Sequence, residues 1–120
     1  GFMEKKYIND DYHETLEEVK TEPNSDNACF AFRKLSINRY VNKKNKNHEC
    51  FSFTWIDGNK LKPARQIEIP NERVLFELLI KAASEGWFNF SPLTQKLCQQ
   101  IASDKIYLNP EDNKEKNEDK

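Results

Sequence analysis

The chain has 120 residues, of which 19 are basic and 20 are acidic, and 37% of all residues are apolar. This length fits one modest domain and excludes the large cofactor-binding folds. The longest near-continuous apolar run, residues 74–83, is interrupted by Glu77 and Lys81 and is too short to span a bilayer. We therefore expect a soluble protein that does not enter the membrane.

Most of the apolar residues lie in the middle of the chain, so residues 28–108 are predicted to form a single α+β domain. Residues 1–27 form an acidic N-terminal segment. Residues 109–120 are predicted to be a disordered charged tail, because a segment without apolar residues buries nothing that offsets the entropy of ordering it.

The N-terminal segment carries four apolar residues at helical spacing. Ile8, Tyr12, Leu16 and Val19 recur every three or four residues, which predicts a short amphipathic helix. Such a helix either docks on the domain or presents Tyr12, Leu16 and Val19 to a protein partner.

The first half of the domain is predicted to be an antiparallel sheet of three strands. Residues 51–56, FSFTWI, alternate in the period of a half-buried strand. Asp57 and Gly58 are typical of a hairpin turn, so residues 60–69 return as the partner strand. The upstream strand, residues 30–41, changes the phase of its apolar residues halfway along, which predicts a bulge or a break there.

Two helices are predicted to follow the sheet and to pack against it. Asn71 is a suitable N-cap for the first helix, and Gly86 is suited to the left-handed residue that ends it. Ser91 followed by Pro92 is typical of the start of a second helix. The predicted fold is therefore a three-stranded antiparallel sheet packed against two C-terminal helices, with the short N-terminal helix as an addition.

The charges are distributed unevenly along the chain. Residues 33–65 carry nine basic side chains against Glu49 and Asp57, a net charge of +7, whereas residues 1–32 sum to −5 and residues 66–120 to −3. A concentrated basic region attracts polyanions even when the total charge of the chain is close to zero. The sequence therefore points to an anionic partner for this region.

Nucleic acid is the polyanion that the pattern favours, bound by a basic hairpin and the polar outer face of the sheet. That face is opposite the apolar side of the sheet and is predicted to carry Ser36, Asn38, Tyr40, Ser52, Thr54, Lys60 and Lys62. In this hypothesis basic side chains neutralise phosphates, and a tyrosine, with Phe30 or Phe32 if they face outward, stacks on bases. The predicted contact residues are Arg33, Lys34, Arg39, Tyr40, Lys43, Lys44, Lys46, Lys60, Lys62 and Arg65. A lysine-rich hairpin is equally typical of a solvated loop, so this alternative stays open.

Two other binding modes are compatible with the sequence. The two helices resemble a helix-turn-helix in order, with Thr94, Gln95, Lys96, Gln99 and Gln100 on the exposed side of the second helix. However, the connection WFNF is too apolar for a typical turn of that motif. The acidic N-terminal segment and the number of aromatic residues favour a different alternative, a protein-protein interaction or regulatory adaptor domain of a larger assembly.

The sequence offers little that supports catalysis or a cofactor. His48 and Cys50 are the one pair with a chemical logic, and nothing nearby orients the imidazole. The three cysteines lack metal-ligand spacing, and there is no glycine-rich phosphate loop. We therefore expect a non-enzymatic binding module without cofactor or metal, located in the cytoplasm or nucleus, where the cysteines stay reduced.

Overall fold

A computed structural model describes residues 7–9, 12–37, 49–61 and 67–107. Within these ranges the elements are strands β1 (His13–Lys20), β2 (Ala28–Ile37), β3 (Glu49–Asp57) and β4 (Lys60–Leu61), followed by helices α1 (Glu72–Ser84) and α2 (Pro92–Asp104). The predicted α+β class, with an antiparallel sheet and two helices after it, is confirmed.

The chain forms two compact units, Gly1–Glu68 and Ile69–Lys120, which we call the sheet unit and the helical unit. The packing of the helices on the sheet, the single domain over residues 28–108 and the disordered tail over residues 109–120 stay predictions. The tail lies outside the described residues.

The sheet unit contains one antiparallel sheet in the order β1-β2-β3-β4. The hairpin predicted after Asp57 is confirmed, because Gly58 takes a φ of 63° between β3 and β4. A positive φ of this size is strained for residues with a Cβ, which explains why glycine occupies the turn. The return strand comprises Lys60–Leu61 among the described residues; residues 62–66 of its predicted range lie outside them, and the prediction is wrong for residues 67–69, which are not in a strand.

The predicted N-terminal helix is wrong, because His13–Lys20 is a strand paired with β2. The sheet therefore has four strands rather than three. A bulge explains the misleading spacing: Thr15 lies opposite Leu35 and Glu17 opposite Lys34, which leaves Leu16 as an extra residue. The added residue breaks the two-residue period of the strand and imitates the spacing of a helix.

The irregularity predicted in the upstream strand lies instead in its partner β1. Strand β2 pairs with β3 in an unbroken register from Ala28 to Ser36. The phase of its apolar residues changes because this strand carries buried residues on both of its sides, with Ala31 fully buried on one side and Phe32 buried on the other. A central strand with two buried faces has no reason to alternate.

Helix α1 begins and ends where its sequence indicates. The side chain of Asn71 accepts a hydrogen bond from the backbone N–H of Val74 at 2.9 Å. At the other end Gly86 has a φ of 84°, and its N–H donates to the carbonyl of Ala83 at 3.0 Å while Trp87 donates to Ala82 at 3.2 Å. These two bonds form a Schellman motif, so both predicted helix boundaries are confirmed.

Helix α2 starts at the predicted cap and packs on α1 through a small core. Ser91 accepts from the N–H of Thr94 at 3.3 Å and Pro92 occupies the first turn. The buried residues of the core are Ile80, Ala83, Cys98 and Tyr107, with Phe88 and Ile101 packed against them. After α2, Ile106 and Tyr107 lie in a turn.

Candidate functional site: the aromatic face of the sheet

One face of the sheet collects five aromatic side chains from two neighbouring strands. In the register of β2 and β3, Phe30 lies opposite Trp55 and Phe32 lies opposite Phe53. Residues directly opposite each other share a face, and alternate residues of one strand do as well, so Phe51 joins them. We call this set, Phe30, Phe32, Phe51, Phe53 and Trp55, the aromatic face.

The rings of the aromatic face contact one another in sequence across the two strands. Phe32 stacks on Phe53 with ring centroids 4.7 Å apart and on Phe51 at 5.6 Å. Phe30 meets Trp55 edge to face at 4.7 Å. Phe32 is buried, Phe30, Phe53 and Trp55 are half-buried, and Phe51 is 50% exposed. Accessible ring surface is therefore greatest at Phe51.

The described charged side chains on this face are four carboxylates and two lysines, Glu14, Glu17, Glu49, Asp57, Lys34 and Lys60, so the described charge of the face is net negative. Lys34 lies directly opposite Phe51, and its Nζ is 3.8 Å from a carboxylate oxygen of Glu17 and 3.8 Å from one of Glu49. Lys60 is exposed and lies opposite Asp57, which places it on the same face beyond Trp55. The described part of this face is thus aromatic rather than strongly basic.

A buried ion pair lies on the opposite face of the sheet. Arg33, 3% exposed, places its Nε 2.9 Å from a carboxylate oxygen of Glu18 and donates from Nη2 to the carbonyl of Ile8. The backbone N–H of Thr15 donates to the side chain of Asn9 at 2.7 Å. Arg33, predicted to contact nucleic acid, therefore fastens residues 7–9 to the sheet and is not accessible to a ligand.

The remaining predicted nucleic-acid residues divide between two groups. Lys34 and Lys60 lie on the aromatic face. Seven others, Arg39, Tyr40, Lys43, Lys44, Lys46, Lys62 and Arg65, lie outside the described residues. Residues 38–48, which hold five of those seven, connect the end of β2 to the start of β3.

The three residues predicted to meet a protein partner do not form one accessible stripe. Tyr12 is 59% exposed and Leu16 is 37% exposed at the bulge, but Val19 is buried and lies opposite Phe32. Their common helical face does not exist, because the segment from His13 to Lys20 is extended.

The glutamines of α2 are engaged within the helical unit. The side-chain amide of Gln95 donates to the carbonyls of Ala83 at 2.8 Å and Ser84 at 3.0 Å, where α1 ends. Gln99 reaches the Ser84 carbonyl at 3.5 Å. These hydrogen bonds satisfy backbone carbonyls that have no partner within α1 because they lie in its last turn. The same side-chain amides are therefore engaged and are not directed at base edges, as those of a recognition helix would be.

The described residues contain no group of three or more His, Cys, Asp or Glu that could hold a metal ion. Cys29 and Cys98 are buried and Cys50 is half-buried, and none of them is in a disulfide. His48, which the sequence analysis considers together with Cys50 as a candidate catalytic pair, lies outside the described part of the chain. Neither of the helices within residues 67–107 is long and apolar enough to cross a membrane.

Comparison with known proteins gives no relative from which a function can be transferred: no family model, no curated protein and no solved structure matches this chain. The candidate site therefore rests on the chain's own residues.

Sequence reasoning assigned most of the aromatic face to the interior. The alternation of residues 51–56 places three aromatic side chains on one side of a strand, which is typical of a side that faces a core. The opposing aromatic residues of β2 became visible only with the register, which pairs Phe30 with Trp55 and Phe32 with Phe53. The sequence did contain one signal for this face: both β2 and β3 are rich in aromatic residues, and the segment that connects them is basic.

Proposed function

We propose that this chain is a non-enzymatic nucleic-acid-binding module whose ligand lies on the aromatic face and contacts the basic residues of segment 38–48. The observation that carries the proposal is the aromatic face itself, with Phe51 half exposed close to the start of β3. Segment 38–48 joins β3 at that same end.

The chemistry of the two parts is complementary. Aromatic rings offer stacking surfaces to nucleobases, and each stacked base contributes about 1 to 3 kcal/mol. Basic side chains neutralise phosphates, and residues 33–65 carry a net charge of +7. Because Arg33 is buried in its ion pair with Glu18, the positive charge on the described part of the aromatic face comes from Lys34 and Lys60.

The ion pairs of Lys34 allow a test of whether the ligand of the aromatic face is anionic or cationic. Glu17 and Glu49 hold Lys34 at 3.8 Å and repel a phosphate that approaches Phe51. Replacing Glu49 with Gln removes one competing carboxylate, so we expect oligonucleotide affinity to rise about threefold at low salt. If the face binds a cationic protein segment instead, the same change weakens binding.

The decisive experiment measures binding of labelled oligonucleotides by fluorescence anisotropy at about 50 and 200 mM salt. We expect binding at low salt that weakens steeply at the higher salt concentration. The triple variant Lys43→Ala, Lys44→Ala, Lys46→Ala should bind at least tenfold more weakly with a shallower salt dependence. A control variant, Lys96→Ala on the exposed side of α2, should bind like the wild type. Absence of binding at low salt contradicts the proposal.

A second candidate function, protein interaction, is favoured by one observation in the helical unit. Leu93 and Leu97 stand one helical turn apart on α2 and are 71% and 56% exposed. Exposed leucines at this spacing are typical of a helix that docks on another protein. Replacing both with Gln should leave oligonucleotide binding unchanged if the first proposal is right.

A further inference from the structure

We infer that the ligand of the aromatic face is single-stranded nucleic acid, with an unpaired base stacked on Phe51. This inference rests on the proposed function and specifies its substrate class. The ring of Phe51 is half exposed, and its neighbour Phe32 is buried behind it.

The geometry of stacking separates single strands from duplexes. In a duplex each base is covered on both of its planar sides by neighbouring base pairs, so a protein reaches only base edges in the grooves. A single strand can unstack and place the flat side of a base on a protein ring. The aromatic face offers the accessible ring of Phe51 to the flat side of a base, which only an unpaired base can present.

Phe51 is held in position before a ligand arrives. Its ring stacks on Phe32 at 5.6 Å, and Phe32 stacks in turn on Phe53 at 4.7 Å. A side chain fixed in this way loses little rotamer freedom when a base covers it, which preserves the affinity gained by stacking. Lys34 lies directly opposite Phe51 and can meet the phosphate of a stacked nucleotide.

A second stacking position lies further along the same strand. Trp55 is half-buried and four residues from Phe51, a distance of about 13 Å along β3. Lys60 is exposed just beyond it on the same face. A strand that crosses the face from Phe51 to Lys60 would thus meet the rings of Phe53 and Trp55 and then Lys60, which lies opposite the carboxylate of Asp57.

The test compares oligo(dT) and oligo(U) of roughly 12 nucleotides with a duplex of the same length. We expect one or both single strands to bind at least tenfold more tightly than the duplex, and the two single-strand arms tell DNA from RNA. Phe51→Leu removes the ring but keeps an apolar side chain, and it should weaken single-strand binding about tenfold. Phe51→Trp keeps a ring and should retain the wild-type affinity.

The matched control is Phe90→Leu, which removes a ring of similar exposure, 43%, in the helical unit and should bind like the wild type. Thermal unfolding of each variant checks that the fold is kept. In the Trp87→Phe variant, quenching of Trp55 fluorescence by oligo(dT) reports contact between the oligonucleotide and the aromatic face independently of Phe51. Equal binding of duplex and single strand, unaffected by Phe51→Leu, overturns this inference and leaves the proposed function standing. No binding of any oligonucleotide at low salt overturns both.

Discussion

The sheet unit and the helical unit are encoded in different ways. In the helical unit, each boundary is set by residues within a few positions of it: Asn71 and Ser91 cap the helix starts, and Gly86 ends α1. In the sheet unit, the contacts that matter join residues far apart, such as Glu18 with Arg33 and Phe30 with Trp55. Local signals therefore sufficed for one unit and misled in the other.

The two units also differ in what they leave accessible. Polar donors of the helical unit are used inside it, as when Gln95 closes the end of α1. In the sheet unit, the ion pair of Glu18 and Arg33 is buried on one face, whereas aromatic ring surface is accessible on the other face, above all at Phe51. This contrast explains why we place the ligand on the sheet.

The largest effect is expected from breaking the long-range ion pair of the sheet unit. Glu18→Gln leaves the buried guanidinium of Arg33 without its carboxylate, and we expect a loss of about 3 kcal/mol in the free energy of unfolding. Urea denaturation measures it. Glu17→Gln, which changes a pair at 3.8 Å on a side chain that is 47% exposed, should cost less than about 0.5 kcal/mol. Equal losses for the two variants would mean that the buried pair does not hold the sheet.

A core deletion in the helical unit tests whether the two units unfold together. Leu78 is fully buried, so Leu78→Ala should cost about 3 kcal/mol, whereas Leu93→Ala on the exposed side should cost almost nothing. Trp55 reports on the sheet unit in a Trp87→Phe background, and Trp87 reports on the helical unit in a Trp55→Phe background. The predicted single domain requires that Leu78→Ala shift both transitions equally; a shift of the Trp87 transition alone shows two independent domains.

A smaller effect is expected from the local signal that starts α1. Asn71→Ala removes the side-chain acceptor of the Val74 N–H, and we expect a loss of about 1 kcal/mol. Asn71→Ser keeps an acceptor and should retain most of the stability in the same thermal unfolding measurement. If Asn71→Ser loses as much as Asn71→Ala, the cap is not what defines this end of the helix.

A gain in stability, rather than a loss, is expected at the end of α2. Lys105 has a φ of 52° and a ψ of 44°, a left-handed conformation that disfavours residues with a Cβ. Lys105→Gly should therefore raise the free energy of unfolding by about 1 kcal/mol. Gly86→Ala at the end of α1 should have the opposite sign, although nothing lies within 4 Å of the added Cβ, because its φ of 84° alone is strained. A loss of stability for Lys105→Gly contradicts this account.

The sequence predicted the elements whose cause is local and missed those whose cause is distant. The strand around Phe53, the turn at Gly58 and both helices were predicted because alternation and caps act within a few residues. Strand β1 was missed because its bulge at Leu16 imitates helical spacing and only its partner β2 makes it a strand. Arg33 was placed on the surface because a charge count cannot reveal that Glu18 accompanies it into the interior.

The bulge in β1 has a consequence for solubility. β1 is an edge strand, and a regular edge offers its unpaired backbone groups as a template on which another molecule can extend the sheet. The extra residue at Leu16 interrupts the spacing of those groups, and the charged side chain of Glu14 lies beside it. Removing Leu16 would restore a regular edge, so we expect a variant that lacks Leu16 to pair more readily with the strand of another molecule.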